Sequence, residues 1–223
     1  MNRFGSKPSG PDSEDFSIQR MVVGPIGTNV YILINKKTQE ALVVDPGDEA
    51  QRIIARLDAD KVKPVAILLT HGHFDHIEAV DEVRTHYGIP AYCLDREVAL
   101  MEDPRANGSL GWDKGLSVTP DRTFKAEEEA TLAGLRFRVL HTPGHTAGSC
   151  CYYFPDQNLL ISGDTLFCGS YGRTDLETGN DAQIVRSVQR LLRELPEDTI
   201  VCPGHMNTTW IAFERRYNPL SEG

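Results

Sequence analysis

Five of the seven histidines in this 223-residue chain lie in three short motifs whose residue types are those that bind metal ions. The first motif, HGHFDH at positions 71–76, holds three imidazoles and one carboxylate. These groups are the ligands of borderline divalent ions such as zinc, and four of them so close together can hardly all bind one ion. The motif therefore predicts two neighbouring ions. Its four candidate ligands are His71, His73, Asp75 and His76.

Three single residues in turns complete the candidate ligand set. His145 ends the sequence TPGH, Asp164 lies in GDT and His205 ends PGH, and an apolar run precedes each turn. A lone histidine beside glycine or proline is more often an ordinary turn residue, but these three bring the set to seven. Seven ligands suffice for two ions that share one carboxylate and keep positions open for water. The alternative, a solvated polar loop, is disfavoured because HGHFDH directly follows an apolar strand.

The other two histidines are predicted not to bind metal. His86 falls within a predicted helix, and His141 is interpreted as a packing or supporting residue beside the TPGH turn. Cys168 lies four residues after Asp164 and is a minor candidate for a ligand or nucleophile. The other four cysteines are interpreted as buried thiols.

Short strands must bring these turns to one location. Apolar and β-branched runs predict strands at 29–34, 41–44, 65–69, 135–140, 150–154, 158–161 and 199–202. Helices are predicted at 50–57, 79–87, 95–101 and 181–195, and the last has an apolar stripe with a period of 3.6 residues. Because the strands form two groups with helices between them, we expect an α/β sandwich of two sheets packed face to face with helices outside.

Composition and charge narrow the classes of protein. Residues 1–15 are polar and rich in Gly, Pro and Ser, which predicts a disordered tail, and residues 16–223 are predicted to form a single domain. The net charge of -9 argues against nucleic acid as a partner, and no run approaches the roughly 18 apolar residues of a membrane span. Five cysteines without a CxxC motif, and no signal segment, predict a cytoplasmic location.

These residues resemble the metallo-β-lactamase superfamily and, within it, the glyoxalase II-like (hydroxyacylglutathione hydrolase-like) thioesterases. The resemblance covers about residues 21–220 and includes GTN at 27–29, DPG at 45–47, THGHFDH at 70–76, TPGHT at 142–146, GDTLF at 163–167, GRTD at 172–175 and residues 214–219. It implies an αββα sandwich with two mixed sheets. It also implies that one ion is bound by His71, His73 and His145, the other by Asp75, His76 and His205, with Asp164 bridging them.

By this resemblance the protein would be a dinuclear metal-dependent hydrolase, a thioesterase that acts on S-acyl glutathione or a related small thioester through a metal-bridging hydroxide. Two divalent ions, with Zn²⁺ favoured over Fe or Mn, would lower the pKa of water toward neutrality. Asp75 would orient the hydroxide as well as bind metal, which makes it the catalytic candidate. A thiolate with a pKa of about 8.5 leaves without protonation, which suits a site that lacks an obvious general acid. The expected partner is a small-molecule thioester, without nucleic acid or membrane, and the oligomeric state is not predicted.

The sequence departs from glyoxalase II in two places. Only 18 residues follow His205, whereas glyoxalase II continues into a helical segment that helps to hold glutathione. In the loop at 169–175, Arg173 and Asp175 stand where that family has a lysine and a tyrosine for glutathione. Arg173 and Tyr171 are therefore candidate substrate contacts. The alternatives are an ion pair of Arg173 with Asp175 and a packing role for Tyr171.

Three other functions remain open at the level of sequence. The first is a mononuclear iron persulfide dioxygenase built on His71, His145 and Asp164, although the remaining ligands would then complete an unneeded second site. The second is a lactonase or other small-ester hydrolase, with a β-lactamase in the narrow sense less favoured. The third is a non-catalytic, metal-stabilised scaffold that binds a protein partner.

Overall fold

The computed structural model describes residues 10–221, so most of the predicted tail at 1–15 lies outside the described residues. The described chain contains fourteen strands. They are β1 (Phe16–Val23), β2 (Thr28–Asn35), β3 (Glu40–Val44), β4 (Lys63–Leu68), β5 (Ala91–Leu94), β6 (Arg122–Phe124), β7 (Glu129–Leu132), β8 (Leu135–His141), β9 (Cys150–Phe154), β10 (Leu159–Gly163), β11 (Leu166–Phe167), β12 (Ser170–Tyr171), β13 (Ile200–Pro203) and β14 (Thr209–Trp210).

Six α-helices and three short 3₁₀ turns connect these strands in the described residues. The helices are α1 (Ala50–Asp60), α2 (Phe74–Ile77), α3 (Val80–Tyr87), α4 (Val98–Glu102), α5 (Asp181–Glu194) and α6 (Ile211–Tyr217). The 3₁₀ turns are Asp95–Glu97, Ser109–Trp112 and Pro155–Gln157. Within residues 10–221, none of the helices combines the length and the apolar character needed to cross a membrane.

The strands form two mixed sheets, as the resemblance implies, and each sheet has six strands. The first sheet has the order β1-β2-β3-β4-β5-β6, and the second has the order β14-β13-β10-β9-β8-β7. In the first sheet β3, β4, β5 and β6 run parallel to one another, and in the second β10 runs parallel to β13. β11 and β12 form a separate small hairpin. The predicted α/β sandwich is confirmed.

Three apolar layers hold the sandwich together. Between the sheets, Leu33 of the first sheet packs in the same cluster as Phe137 of the second. On the outer face of the first sheet, Ile32 joins the buried side of α1 and α3, so β2 is buried on both faces. On the outer face of the second sheet, Leu160 packs with Leu191 of α5. Helices therefore cover both outer faces, which gives the αββα order of layers.

The predicted elements differ from the observed ones where the local pattern is weak. The predicted helix at 181–195 corresponds to α5, whose first turn is capped by Asn180, since its side chain accepts a hydrogen bond from the Gln183 amide. The sequence does not predict β5, β6, β7, β11, β12 and β14 because each has only two to four residues. It does not predict the eight-residue strand β1 either, since Ser17, Gln19 and Arg20 interrupt its apolar residues. The predicted helix at 95–101 begins as a 3₁₀ turn before α4.

The packing of α5 leads to a prediction about stability. Leu191 is buried against the second sheet, so Leu191→Ala should lower the free energy of unfolding by about 2–5 kcal/mol through lost contacts and a residual cavity. Arg193→Ala, two residues away on the exposed side, should change it by less than about 0.5 kcal/mol. Urea denaturation followed by circular dichroism measures both values. Equal stability of the two variants would contradict the packing described for α5.

Candidate metal centre

The turns that carry the candidate ligands meet at one edge of the sandwich. His71 follows β4 in the first sheet, and the rest of HGHFDH continues into α2. In the second sheet β10 and β13 are parallel, and β8 runs in the same direction because both β8 and β10 are antiparallel to β9. His145, Asp164 and His205 follow the ends of β8, β10 and β13 in turn. The carboxyl ends of these strands thus bring all seven predicted ligands together.

Three imidazoles form the first group, which we call group one: His71, His73 and His145. One nitrogen from each ring lies within 4.8 Å of the others. The ring centroids are 4.6 to 4.9 Å apart, and Nδ1 of His73 is 2.9 Å from Nε2 of His145. All three side chains are buried. A cation could be held by three nitrogens in this arrangement.

Group two consists of Asp75, His76 and His205, and its ligand atoms also lie within 4.8 Å of one another. Nε2 of His205 is 3.3 Å from Oδ2 of Asp75 and 3.3 Å from Nε2 of His76. His76 is fully buried, while the other two side chains are partly exposed. Group two is therefore the more open of the two groups.

Asp164 lies between the groups. Its Oδ2 is 3.5 Å from Nε2 of His145 in group one and 3.4 Å from Nε2 of His205 in group two. Its Oδ1 is 3.5 Å from Nε2 of His76. Its carboxylate faces both groups, which is the position required of a ligand that two ions share.

Unpartnered buried atoms test whether the residues fit metal ions. Nε2 of His71 and Oδ1 of Asp164 are buried and have no hydrogen-bond partner among the described residues. A buried polar atom without a partner costs about 1–3 kcal/mol, so this centre is unfavourable without a further group that accepts these lone pairs. Divalent ions would satisfy them, and the donor set of imidazoles and carboxylates is the one that such ions prefer. The residues present fit two metal ions.

The electrostatics of the site keep the imidazoles His71 and His73 and the carboxylate of Asp164 in their metal-binding forms. Burial and the neighbouring His145 lower the pKa of His73 to about 3, and burial also lowers that of His71, so both rings stay neutral. Burial alone would raise the pKa of Asp164, but His76 and the hydrogen bond with His205 bring it down to about 2. Burial would lower the pKa of His205, yet Asp164 and Asp75 raise it to about 10. The two carboxylates thus favour a cation between them, whether a proton on His205 or a metal ion.

Contacts behind the ligands fix their orientation. His145 donates through Nδ1 to the carbonyl of Arg173 at 2.7 Å, which leaves its Nε2 directed at the site. The hydroxyl of Thr28 donates to Oδ2 of Asp75 at 2.9 Å. The motif PGH also needs its glycine, because a Cβ at Gly204 would lie 2.2 Å from Oδ1 of Asp164. Such outer contacts set both the tautomer and the position of metal ligands.

Asp45 is a functional residue that the ligand analysis of the sequence missed. Together with His71 and His76 it could also hold an ion. Its carboxylate, however, accepts hydrogen bonds from the amide and hydroxyl of Thr70 at 2.8 and 2.6 Å and lies 3.1 Å from Nδ1 of His76. We therefore assign Asp45 to orienting His76. The signal in the sequence was its place directly after the predicted strand at 41–44, in the DPG segment that the resemblance includes.

Glu97 is a second residue that the sequence did not indicate. It is 1% exposed, and its Oε1 accepts hydrogen bonds from the amide of Gly72 at 2.9 Å and from the hydroxyl of Thr146 at 2.8 Å. Gly72 lies between His71 and His73, and Thr146 follows His145, so one carboxyl group joins the two loops that supply group one. Burial raises the pKa of Glu97 to about 7, against the lowering effect of these hydrogen bonds.

A cleft of about 320 Å³ opens onto the ligands. Its lining includes apolar side chains and two arginines beside the ligands, namely Ile26, Phe74, Trp112, Leu176, Arg105 and Arg173. Arg173, a predicted substrate contact, forms an exposed ion pair with Asp175 through Nε at 2.6 Å. Tyr171, the other predicted contact, is half-buried against the apolar cluster under α5 and is not part of the described cleft lining.

His86 and His141, which were predicted not to bind metal, lie outside the two groups, and so does the minor candidate Cys168. His86 is exposed on α3 and stacks edge to face with Tyr87, while Nε2 of His141 is 2.9 Å from the carbonyl of Ala147. Cys168 is half-buried, and among the described residues it joins no cluster that could hold an ion.

Comparison with known proteins agrees with this geometry. Residues 23–205 match the metallo-beta-lactamase superfamily. "Probable metallo-hydrolase YqgX" of Bacillus subtilis is 41% identical over 208 residues, which cover 92% of this chain and 97% of the relative. "Hydroxyacylglutathione hydrolase GloC" of Haemophilus influenzae is 34% identical over 191 residues, which cover 84% and 90%.

Two solved structures are similar along almost the whole chain. The crystal structure of "BLEG-1 B3 metallo-beta-lactamase" is 41% identical with a TM-score of 0.88 and covers 93% of this chain and 100% of that one. The structure of "TTHA1623 in a di-iron-bound form" is 34% identical with a TM-score of 0.80 and covers 90% and 98%.

The position of Glu97 leads to a prediction about metal affinity. Glu97→Ala should weaken binding of one of two Zn²⁺ ions by about 10- to 100-fold, because the loops of group one lose the acceptor that joins them. Glu97→Gln, which keeps one carbonyl oxygen, should restore part of the affinity. Competition with a chromophoric chelator measures the effect, and Glu102→Ala, at an exposed position on α4, is the matched control. Wild-type affinity in Glu97→Ala would refute this role.

Proposed function

This chain belongs to the metallo-β-lactamase superfamily, and from that premise we propose that it is a dinuclear metal-dependent hydrolase whose substrates are small thioesters, S-acyl glutathione among them. The observation that carries the proposal is the pair of ligand groups with Asp164 between them, open to a cleft on one side. The relative YqgX, described as a probable metallo-hydrolase, supports the class of enzyme.

In this proposal the ligands divide as the structure groups them. His71, His73 and His145 would hold one ion, Asp75, His76 and His205 the other, and Asp164 both. When bound, two divalent ions lower the pKa of a water molecule toward neutrality and polarise a substrate carbonyl.

The protein's own groups would then position the reactants. The Thr28 hydroxyl fixes Asp75, so its carboxylate can orient the attacking water. A substrate that covers the apolar side chains of the cleft would displace bulk water from them, which strengthens electrostatic interactions with the reacting carbonyl. The leaving thiolate, with a pKa of about 8.5, departs without a proton donor.

The leaving group favours thioesters over other acyl compounds. An amine or alkoxide is a far stronger base than a thiolate and needs a proton as it departs. Among the groups that line the cleft, Asp75 and Asp164 have pKa values lowered by nearby histidines despite burial, so neither is a proton donor at neutral pH. His205, whose pKa is raised to about 10 by these carboxylates, would lose its proton on binding metal and would then have none to donate. The relative GloC, described as a hydroxyacylglutathione hydrolase, supports the same substrate class.

β-Lactam hydrolysis is the second candidate, because BLEG-1 is described as a B3 metallo-beta-lactamase and matches this chain with a TM-score of 0.88. Both reactions begin with attack of water on a carbonyl carbon. They differ in the leaving group, which is a ring nitrogen in the β-lactam. Persulfide oxidation needs one iron only. It is disfavoured because Asp75, His76 and His205 lie close to one another and form a second group of ligands, which a site for one iron would not need.

Substrate and metal assays separate these functions. We expect the purified protein to bind about two metal ions per chain and to release thiol from S-acyl glutathione. Chelation should abolish the activity and Zn²⁺ should restore it, because the two metal ions are needed to lower the pKa of the attacking water. Thiol release, opening of a chromogenic β-lactam and oxygen uptake with glutathione persulfide are measured on the same preparation. β-Lactam opening without thiol release would favour the second candidate. One iron per chain with oxygen uptake would replace the proposal with the dioxygenase.

Substitution of Asp75 tests the role of group two. Asp75→Ala should remove one of the two ions and lower kcat for the thioester about 100-fold, since it removes both a ligand and the group that orients water. Metal content, kcat and the circular dichroism spectrum are compared with those of Asp198→Ala, an exposed aspartate far along the chain. A folded Asp75→Ala protein with unchanged turnover would exclude this role.

A further inference from the structure

One wall of the cleft comes from the connection between α4 and β6, and we call residues 103–118 the recognition loop. Asn107 fixes this loop from within, because it is 0% exposed and its Nδ2 donates to the carbonyl of Leu116 at 2.8 Å. Its Oδ1 accepts from the amide of Ser109 at 2.9 Å. The carbonyl of Asn107 in turn accepts from the amide of Phe74 at 2.9 Å. Since Phe74 lies between His73 and Asp75, the loop is anchored directly to the ligand motif.

The recognition loop presents an aromatic side chain to the cleft. Trp112 is 48% exposed, and its ring centroid is 5.4 Å from that of Phe74 with the ring planes tilted by 40°. Ile26 and Leu176, which line the same cleft, are 40% and 41% exposed. Large apolar side chains that remain this exposed around a cleft mark a binding surface rather than a core. An apolar group of a substrate would cover them.

The loop also supplies a cation that nothing else neutralises. Arg105 lines the cleft and is exposed, and within residues 10–221 its guanidinium has neither an ion pair nor a hydrogen bond. The other cations near the cleft are already paired: Arg173 with Asp175, and Lys114 with Glu78. Arg105 is therefore the guanidinium available to an anionic substrate, and its planar donors suit a carboxylate or a phosphate.

We propose that the recognition loop selects thioesters that combine an apolar acyl group with an anionic thiol carrier, Trp112 contacting the acyl group and Arg105 binding the carrier's anion. This inference rests on the proposed thioesterase activity and names the substrate class of that same site. The carboxylates of glutathione and the phosphates of coenzyme A present the same chemistry to a guanidinium. The two sources are therefore distinguished by experiment.

Matched thioesters test the two contacts separately. Hexanoyl and acetyl groups are each attached to glutathione, to coenzyme A and to the neutral thiol N-acetylcysteamine, and KM and kcat are measured for the metal-loaded full-length protein. Arg105→Gln should raise KM about fivefold for the esters of one anionic carrier, the loss expected for an exposed ion pair, and leave the neutral esters unchanged. Trp112→Ala should raise KM about tenfold for hexanoyl esters and less than twofold for acetyl esters, because only the longer chain covers the ring.

Control variants distinguish specific contacts from general perturbation. Leu110→Ala changes an exposed apolar residue in the same 3₁₀ turn that does not line the cleft, and Arg193→Gln removes an exposed guanidinium on α5. Both should leave KM unchanged for every ester. The inference would be overturned if thioesters are hydrolysed but Arg105→Gln keeps the wild-type preference among carriers, or if Trp112→Ala keeps the wild-type preference among acyl groups. In either case the proposed function would stand.

A binding measurement keeps the inference testable apart from turnover. S-hexylglutathione and S-hexyl coenzyme A are thioethers that cannot be hydrolysed, and their binding is followed by tryptophan fluorescence in Trp210→Phe, where Trp112 is the single remaining tryptophan. We expect one of them to quench Trp112 and to bind about fivefold more weakly in the Arg105→Gln form of that variant. Quenching that persists when no thioester is hydrolysed would support the recognition loop and reject the thioesterase. The absence of binding by either thioether would reject the loop's role.

Discussion

The carboxylate of Asp164 lies between two groups of imidazoles, and the rest of the molecule is arranged to keep it there. An ionised carboxylate this deeply buried is unfavourable unless positive charge compensates it. His76 and His205 supply part of that compensation, and the unpartnered oxygen shows that more is needed. Both sheets, through the turns after β4, β8, β10 and β13, direct their polar residues toward this point.

Support for the centre is distributed over residues that do not reach it. Asp45 holds the far nitrogen of His76, the Arg173 carbonyl holds that of His145, and Glu97 joins the two loops of group one. Each of these contacts satisfies a buried donor while it restricts a ligand to one orientation. A chemically simple set of ligands is thus made specific by the hydrogen bonds behind it.

The sequence identifies the candidate ligands more readily than the residues that orient them. HGHFDH identifies itself because the ligand types lie within six residues, and the strands before each turn are strong apolar runs. The division into groups one and two came from a resemblance, and the structure brings the same residues together. Glu97 could not be predicted, because its partners are 25 and 49 residues away and a single acidic residue gives no local signal. The recognition loop gives no periodic signal in the sequence either, because hydrogen bonds of Asn107, and not a stripe of apolar side chains, hold its conformation.

Each of the two groups combines residues from both sheets of the sandwich. Group one takes two imidazoles from the first sheet and one from the second, while group two takes a carboxylate and an imidazole from the first and an imidazole from the second. Any cation held by either group is therefore a cross-link between the halves of the sandwich, made at the edge where the turns of both sheets meet. Cohesion of the halves and occupancy of the centre become thermodynamically linked, so that resistance to unfolding follows the concentration of free metal in the surroundings.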